Sequence, residues 1–252
     1  MEVHHHPHVG KKALKEYLTE GLMIFFAVTM GFFAEQLREF IVERKHEVEL
    51  MHNLVEDLEA DRQSLQSLDR WYSNQLIPAG DSIKYLLNHP NTYPNDNSLY
   101  VSFRYVVRYL SVNVSITDKT FTQLKNNKGF NIIRDKKISD SIIKYYNNIK
   151  IINDLEGYLF LEKQDLRQNV PLLLDGNMYD LVVNERDHVI RPNLALKAKP
   201  INETQKNDFL FRLSDINSLS RNILNRIKYL EQESERLSKD IKHYYEFNSQ
   251  SE

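Results

Sequence analysis

The chain has 252 residues with 33 basic and 35 acidic side chains, a net charge of −2 and no cysteine. The two signs are intermixed, which offers no basic face to nucleic acid and no acidic tail, and the lack of cysteine excludes disulfides, thiolate metal sites and cysteine nucleophiles. With seven glycines, the chain contains neither a phosphate-binding glycine loop nor a dinucleotide fingerprint, and no nucleophile elbow or paired-histidine metalloprotease motif; no catalytic residue and no cofactor are expected.

The first 16 residues form a polar tail that holds His4, His5, His6 and His8. Imidazoles this close suit Zn, Ni or Cu as ligands. Neighbouring histidines in a tail must fold back to face one ion, however, and no further ligand pair accompanies them. The other reading is a polar, membrane-proximal tail or an assembly contact that titrates near neutral pH.

Residues 17–41 are expected to cross a membrane. Their uncharged centre, Gly21 to Ala34, lies between Glu20 and Glu35. A crossing helix takes about 20 mostly apolar residues; Tyr17 and Leu18 before the centre, and Leu37, Phe40 and Ile41 after it, supply that length. A signal peptide has a similar charged start, here Lys11, Lys12 and Lys15, but Phe32-Phe33-Ala34 lacks the small residue a cleavage site wants three positions upstream. A retained anchor is the expectation. On a helical wheel Glu20, Ile24, Ala27, Gly31, Ala34 and Arg38 share one side, with Glu35 at its edge. Small residues four apart allow close helix approach in a bilayer, and intramembrane carboxylates face a partner or water. The face formed by Glu20, Ala27, Gly31, Ala34 and Glu35 is therefore expected to self-associate or pack on another subunit. In the competing reading the small residues are filler and both glutamates reach the interface; a proton or ion path past them is the third.

The remaining segment, 42–247, is expected to be one helical domain, followed by a tail at 248–252. No Pro or Gly occurs between Ala34 and Pro78, so the anchor is expected to run unbroken into a long helix, 42–77. Its stripe Val48, Met51, Val55, Leu58, Leu65, Leu68 and Tyr72 is spaced like a packing seam, with Arg62 at a skipped position. Pro78 to Gly80 predicts a break, then a short helix to Leu87 and a loop from His89 to Asn97. Helices are expected over Leu99 to Leu110, after a cap at Thr117 or Asp118 as far as Gly129, and from Lys136 through the helical middle, 81–165. Pro171, Gly176, Pro192 and Pro200 predict loops over 166–200. Asn202 caps the last helix, 203–247, whose apolar residues recur at 3, 4 and 7 from Phe209 to Tyr244. At about 1.5 Å per residue both rods extend about 60 Å. They are expected to lie antiparallel, in a seam that serves equally within one subunit or between two. The fold class is thus all-α: a transmembrane helix continuing into a long helix that packs with a long C-terminal helix in an antiparallel bundle or coiled coil.

Three motifs carry a resemblance. They are the opening Met1-Glu-Val-His-His-His-Pro-His8 with Lys15-Glu-Tyr-Leu18 and the anchor itself; Thr120-Phe121-x-x-Leu124-Lys125-x-x-x-Gly129; and Ile132-Ile-Arg134 with Ile142-Ile-x-Tyr-Tyr146. Together the chain resembles a family of single-pass helical membrane proteins of the Bacteroidota that form a domain of unknown function. The resemblance is good over the first 60 residues and 115–150 and weak in the C-terminal third; it implies location and shape, and no reaction. The expected partners are the lipid bilayer and either further copies of the chain or an inner-membrane protein. Basic residues balance across the anchor, and Lys11 and Lys12 favour the tail inside and the domain in the periplasm. The favoured function is a non-enzymatic membrane-anchored scaffold; the alternative is a subunit of an oligomeric channel or sensor.

Overall fold

A computed structural model describes residues 14–90, 94–108, 116–126 and 129–247. The chain separates into two compact units, Met1–Leu50 and Met51–Glu252. In the first, the described residues form the opening of helix α1 (Leu14–Trp71). The apolar side chains of this opening, from Leu14 to Val42, are exposed.

The second unit is helical: the rest of α1, a π-helical turn (Tyr72–Leu76), α2 (Ile77–Asn88), α3 (Asn97–Arg108), α4 (Lys119–Asn126), α5 (Lys136–Leu173), α6 (Gly176–Asp180) and α7 (Glu203–Tyr244). Among the described residues extended pairing is confined to a single antiparallel bridge, Val183 with Val189. Three long elements make the core, and their cross-links give the directions. Ser234 donates to the Leu58 carbonyl, Lys228 meets Asp69, Asn217 donates to Asp81, and Lys84 donates to Ser214. Numbers that rise along α1 and α2 fall along α7, so the two run antiparallel. Tyr145 donates to Asp61 and Tyr72 to Glu156; these numbers rise together, so α5 runs parallel to α1 and antiparallel to α7.

The α1 seam is Met51, Leu54, Leu58, Asp61, Leu65, Leu68 and Tyr72, all buried. Its spacing of 3 and 4 is unbroken, because the position that looked skipped is filled by Asp61. Val55 is half-buried and gives way to Leu54, and Arg62 turns outward to Glu59 at 2.6 Å. On α7 the buried line runs Phe209, Leu213, Ile216, Ser220, Ile223, Ile227, Leu230, Ser234, Leu237 and Ile241. Serines take its narrow positions, while Leu219 is half-buried and Tyr244 exposed.

Two expected interruptions are corrected. Pro78 does not break the rod: it lies in the first turn of α2, directly after the π turn. A proline has no N–H to donate and its ring clashes with the carbonyl four residues back, and a π turn widens the backbone where that conflict falls. Gly80 is likewise inside α2, since a Cβ there would fall into the carboxamide of Asn217; glycine is required by the close approach of α7. At the other end, α5 continues through Pro171 to Leu173 instead of ending before 166. The expected loop runs from Leu181 to Asn202, apart from the bridge. That loop is anchored by the start of α3. Asn97 donates to the carbonyls of Pro192 and Leu194 and accepts from the Leu196 N–H, and Tyr100 donates to the Lys197 carbonyl and accepts from the Asp175 N–H.

Candidate functional site

The segment 17–41 is α-helical throughout, which places Glu20, Ala27, Gly31, Ala34 and Glu35 along one side; all five are exposed. A side chain added at Gly31 meets nothing within 4 Å. Glu35 closes a two-pronged ion pair onto Arg38 one turn on, at 2.6 and 2.9 Å, and Thr29 returns its hydroxyl to the Phe25 carbonyl at 2.7 Å. The polar groups thus close locally while the phenylalanines stay bare. Among the described residues one helix, near the N-terminus, is long and apolar enough to cross a membrane. His4, His5, His6 and His8 lie outside the described residues; among the described residues no three His, Asp or Glu side chains gather to hold a metal ion.

The interior of the bundle holds charge where heptad spacing promises hydrocarbon. Asp61 accepts from the Thr117 backbone N–H at 2.7 Å and from the Tyr145 hydroxyl at 3.1 Å. Burial raises its carboxyl to about 6, against the pull of those two donors and with a push from Asp57. The neighbouring Tyr146 donates to the Thr117 carbonyl at 3.0 Å and stacks on Phe121, ring centroids 3.9 Å apart. Within 117–146, Thr117 and Tyr145 bond to Asp61, and Thr120 and Leu124 are buried. Farther along α5, the Tyr72 hydroxyl donates to Glu156. Lys163, two turns beyond Glu156 on the same helical face, is wholly buried; burial lowers its ammonium to about 8, while the Glu156 carboxylate opposes the change. Tyr72 to Glu156 and Tyr145 to Asp61 are bonds between helices, the pattern of a polar network that specifies one packing.

A second polar constellation lines a cavity of about 330 Å³ among α3, α5 and α6. Arg104 and Arg108, one turn apart on α3, face Arg167 of α5 across it, with Val107, Val170 and Leu174 between them. The Arg104 guanidinium lies 4.1 Å over the Tyr179 ring and pairs with Asp180 at 3.2 Å; Arg108 pairs with Asp187. All three arginines draw on the Tyr179 hydroxyl, whose pKa burial nevertheless raises. Neither constellation was singled out from sequence. The Arg104/Arg108 spacing is a visible signal, but Arg167 joins it only once α3 is packed on α5, and Asp61 is one of several acids in its stretch of α1 with no local sign of burial.

No family model, curated protein or solved structure matches the chain.

Proposed function

We propose that the protein is a single-pass scaffold of a bacterial inner membrane, anchored by residues 17–41, that holds its helical domain on the periplasmic side and acts by self-assembly or by docking an inner-membrane protein. The observation that carries this reading is the bare apolar surface of the α1 opening, continuous with a helix that elsewhere keeps its apolar residues covered. Exposed hydrocarbon of this extent in a helix of spanning length is surface meant for lipid or for another helix. The resemblance to single-pass Bacteroidota proteins points the same way, and the balanced surface charge gives nucleic acid no role. Within the polar network the described partners are structural, and a scaffold asks for no catalytic group. A channel or sensor subunit is the weaker reading, because Glu35 neutralises itself on Arg38 and needs no pore to solvate it.

The test is the detergent-corrected mass, by light scattering, of the extracted full-length protein and of its Gly31→Leu variant. A defined oligomer that loosens in the variant supports assembly through the small-residue face. An oligomer indifferent to Gly31→Leu moves the contact to the helical domain, and a monomer in both shifts the scaffold's target to a different protein.

A further inference from the structure

We propose that the arginine-lined cavity among α3, α5 and α6 binds a small amphiphilic anion, a phosphate or carboxylate group carried on an apolar stem. The cavity belongs to the second compact unit and stands independently of the anchor. Its chemistry is divided: Arg104, Arg108 and Arg167 supply guanidinium forks, and Val107, Val170 and Leu174 supply a dry wall. About 330 Å³ is the size of a pocket that encloses a small organic molecule. Forked donors are the groups suited to carboxylate and phosphate oxygens.

Unused capacity remains at Arg104 and Arg167. The Arg104 and Arg108 side chains are 21 % and 9 % exposed, whereas their partners Asp180 and Asp187 are 84 % and 77 % exposed. The cations form the wall and the carboxylates hang at the rim, where water can take them back at little cost. The buried Nε of Arg104 has no hydrogen-bond partner, and Arg167 has no carboxylate within ion-pair reach among the described residues. Asp175, next to the cavity, spends its carboxylate on the N–H groups of Asn177 and Met178.

Asp187 reads as the resident stand-in for the ligand. It sits at φ 61°, a conformation L residues seldom adopt, at the tip of a turn that Asn184 ties to the N–H groups of Arg186 and His188. Held there, its carboxylate reaches Arg108. An incoming anion takes that place, and Asp187 returns to water.

The experiment is calorimetric titration of the full-length protein, in neutral detergent, with phenyl phosphate beside inorganic phosphate. One site is expected for phenyl phosphate, with inorganic phosphate much weaker for want of a stem. Arg167→Gln alters an exposed side chain and should leave the helical circular dichroism unchanged while weakening phenyl phosphate about tenfold, the scale of one lost charge-assisted contact. Asp187→Asn should tighten it. No heat from the parent protein up to about 10 mM phenyl phosphate, or equal binding by Arg167→Gln, overturns the site. Repeating the titration in phosphatidylcholine nanodiscs with and without phosphatidic acid separates the sources. Competition by phosphatidic acid identifies a lipid headgroup as occupant, and undiminished binding identifies a soluble anion; either supports the site.

Discussion

Helix α1 is written in two codes. Over its opening, apolar residues occupy nearly the whole circumference, and Phe25 and Phe33 are 62 % and 63 % exposed; in the bundle, Phe103 and Phe209 are 0 % and 1 % exposed. From Met51 onward the same helix carries apolar residues at 3 and 4, and every one on that line is buried. Between the two the backbone does not change; what changes is which environment the side chains suit. All-round hydrocarbon suits a medium that is apolar on every side, and a single stripe suits one neighbour and water. The polar groups reverse in step. In the opening they bond to their own helix, as Glu35 and Thr29 do, whereas in the bundle Tyr145 bonds to Asp61 and Tyr72 to Glu156 across helices.

The largest effect expected from this contrast comes from charging the all-round surface. Phe25→Arg with Phe33→Arg puts two guanidinium groups near the middle of the spanning stretch, at about 2.5–3.5 kcal/mol each on insertion scales. Alkaline carbonate extraction should leave the parent chain in the membrane pellet and release most of the double variant. Equal retention of both would refute lipid as the environment of this surface.

A smaller effect tests the enclosed charge of the bundle. The folded carboxyl of Asp61 is raised to about 6 by burial, above its value in an unfolded chain, so the folded state holds this proton more tightly. Its contribution to stability is therefore fully present below about pH 4 and is lost as pH rises through 6. The loss is about 2 kcal/mol after allowance for partial solvent screening. Asp61→Asn keeps an acceptor for the Thr117 N–H and cannot ionise. Thermal melts at pH 4 and pH 7 should show the variant gaining on the parent at the higher pH; a parallel shift at both would mean that Asp61 stays ionised in the fold.

Much of the helical frame was legible from local chemistry. Asp135 accepts from the Ile138 N–H and starts α5 where a start near Lys136 was expected, and the heptad-like stripes marked which faces of α1 and α7 would meet. Apart from Pro78, the failures share a cause: each depends on a contact made by a distant element. Pro78 and Gly80 read as a break because proline and glycine usually are one, yet the π turn accommodates the first and Asn217 of α7 requires the second. Asp61 has no local signal of burial, because its partners, Thr117 and Tyr145, are 56 and 84 residues away. The loop after α6 has no period of its own, since Asn97 and Tyr100 of α3 hold it by its backbone. The arginine cavity needs three elements to exist at all.

The smallest effect falls where the bundle meets water, and it separates local from tertiary control of α7. Asn202 accepts from the Gln205 N–H at 2.9 Å while the Gln205 side chain accepts from the Asn202 N–H at 3.0 Å, a reciprocal cap on two donors that the first turn cannot satisfy itself. Asn202→Ala removes the acceptor and should cost about 1 kcal/mol. The nearest buried side chain of α7 is Phe209, packed edge-on against Phe103 with centroids 5.8 Å apart. The turns before Phe209 therefore depend on the cap, and those after it depend on the core. Hydrogen exchange should quicken at the amides of residues 203–208 in the variant and stay unchanged beyond Phe209. Faster exchange along the whole of α7 would show that the cap, and not the buried line from Phe209 to Ile241, sets the stability of this helix.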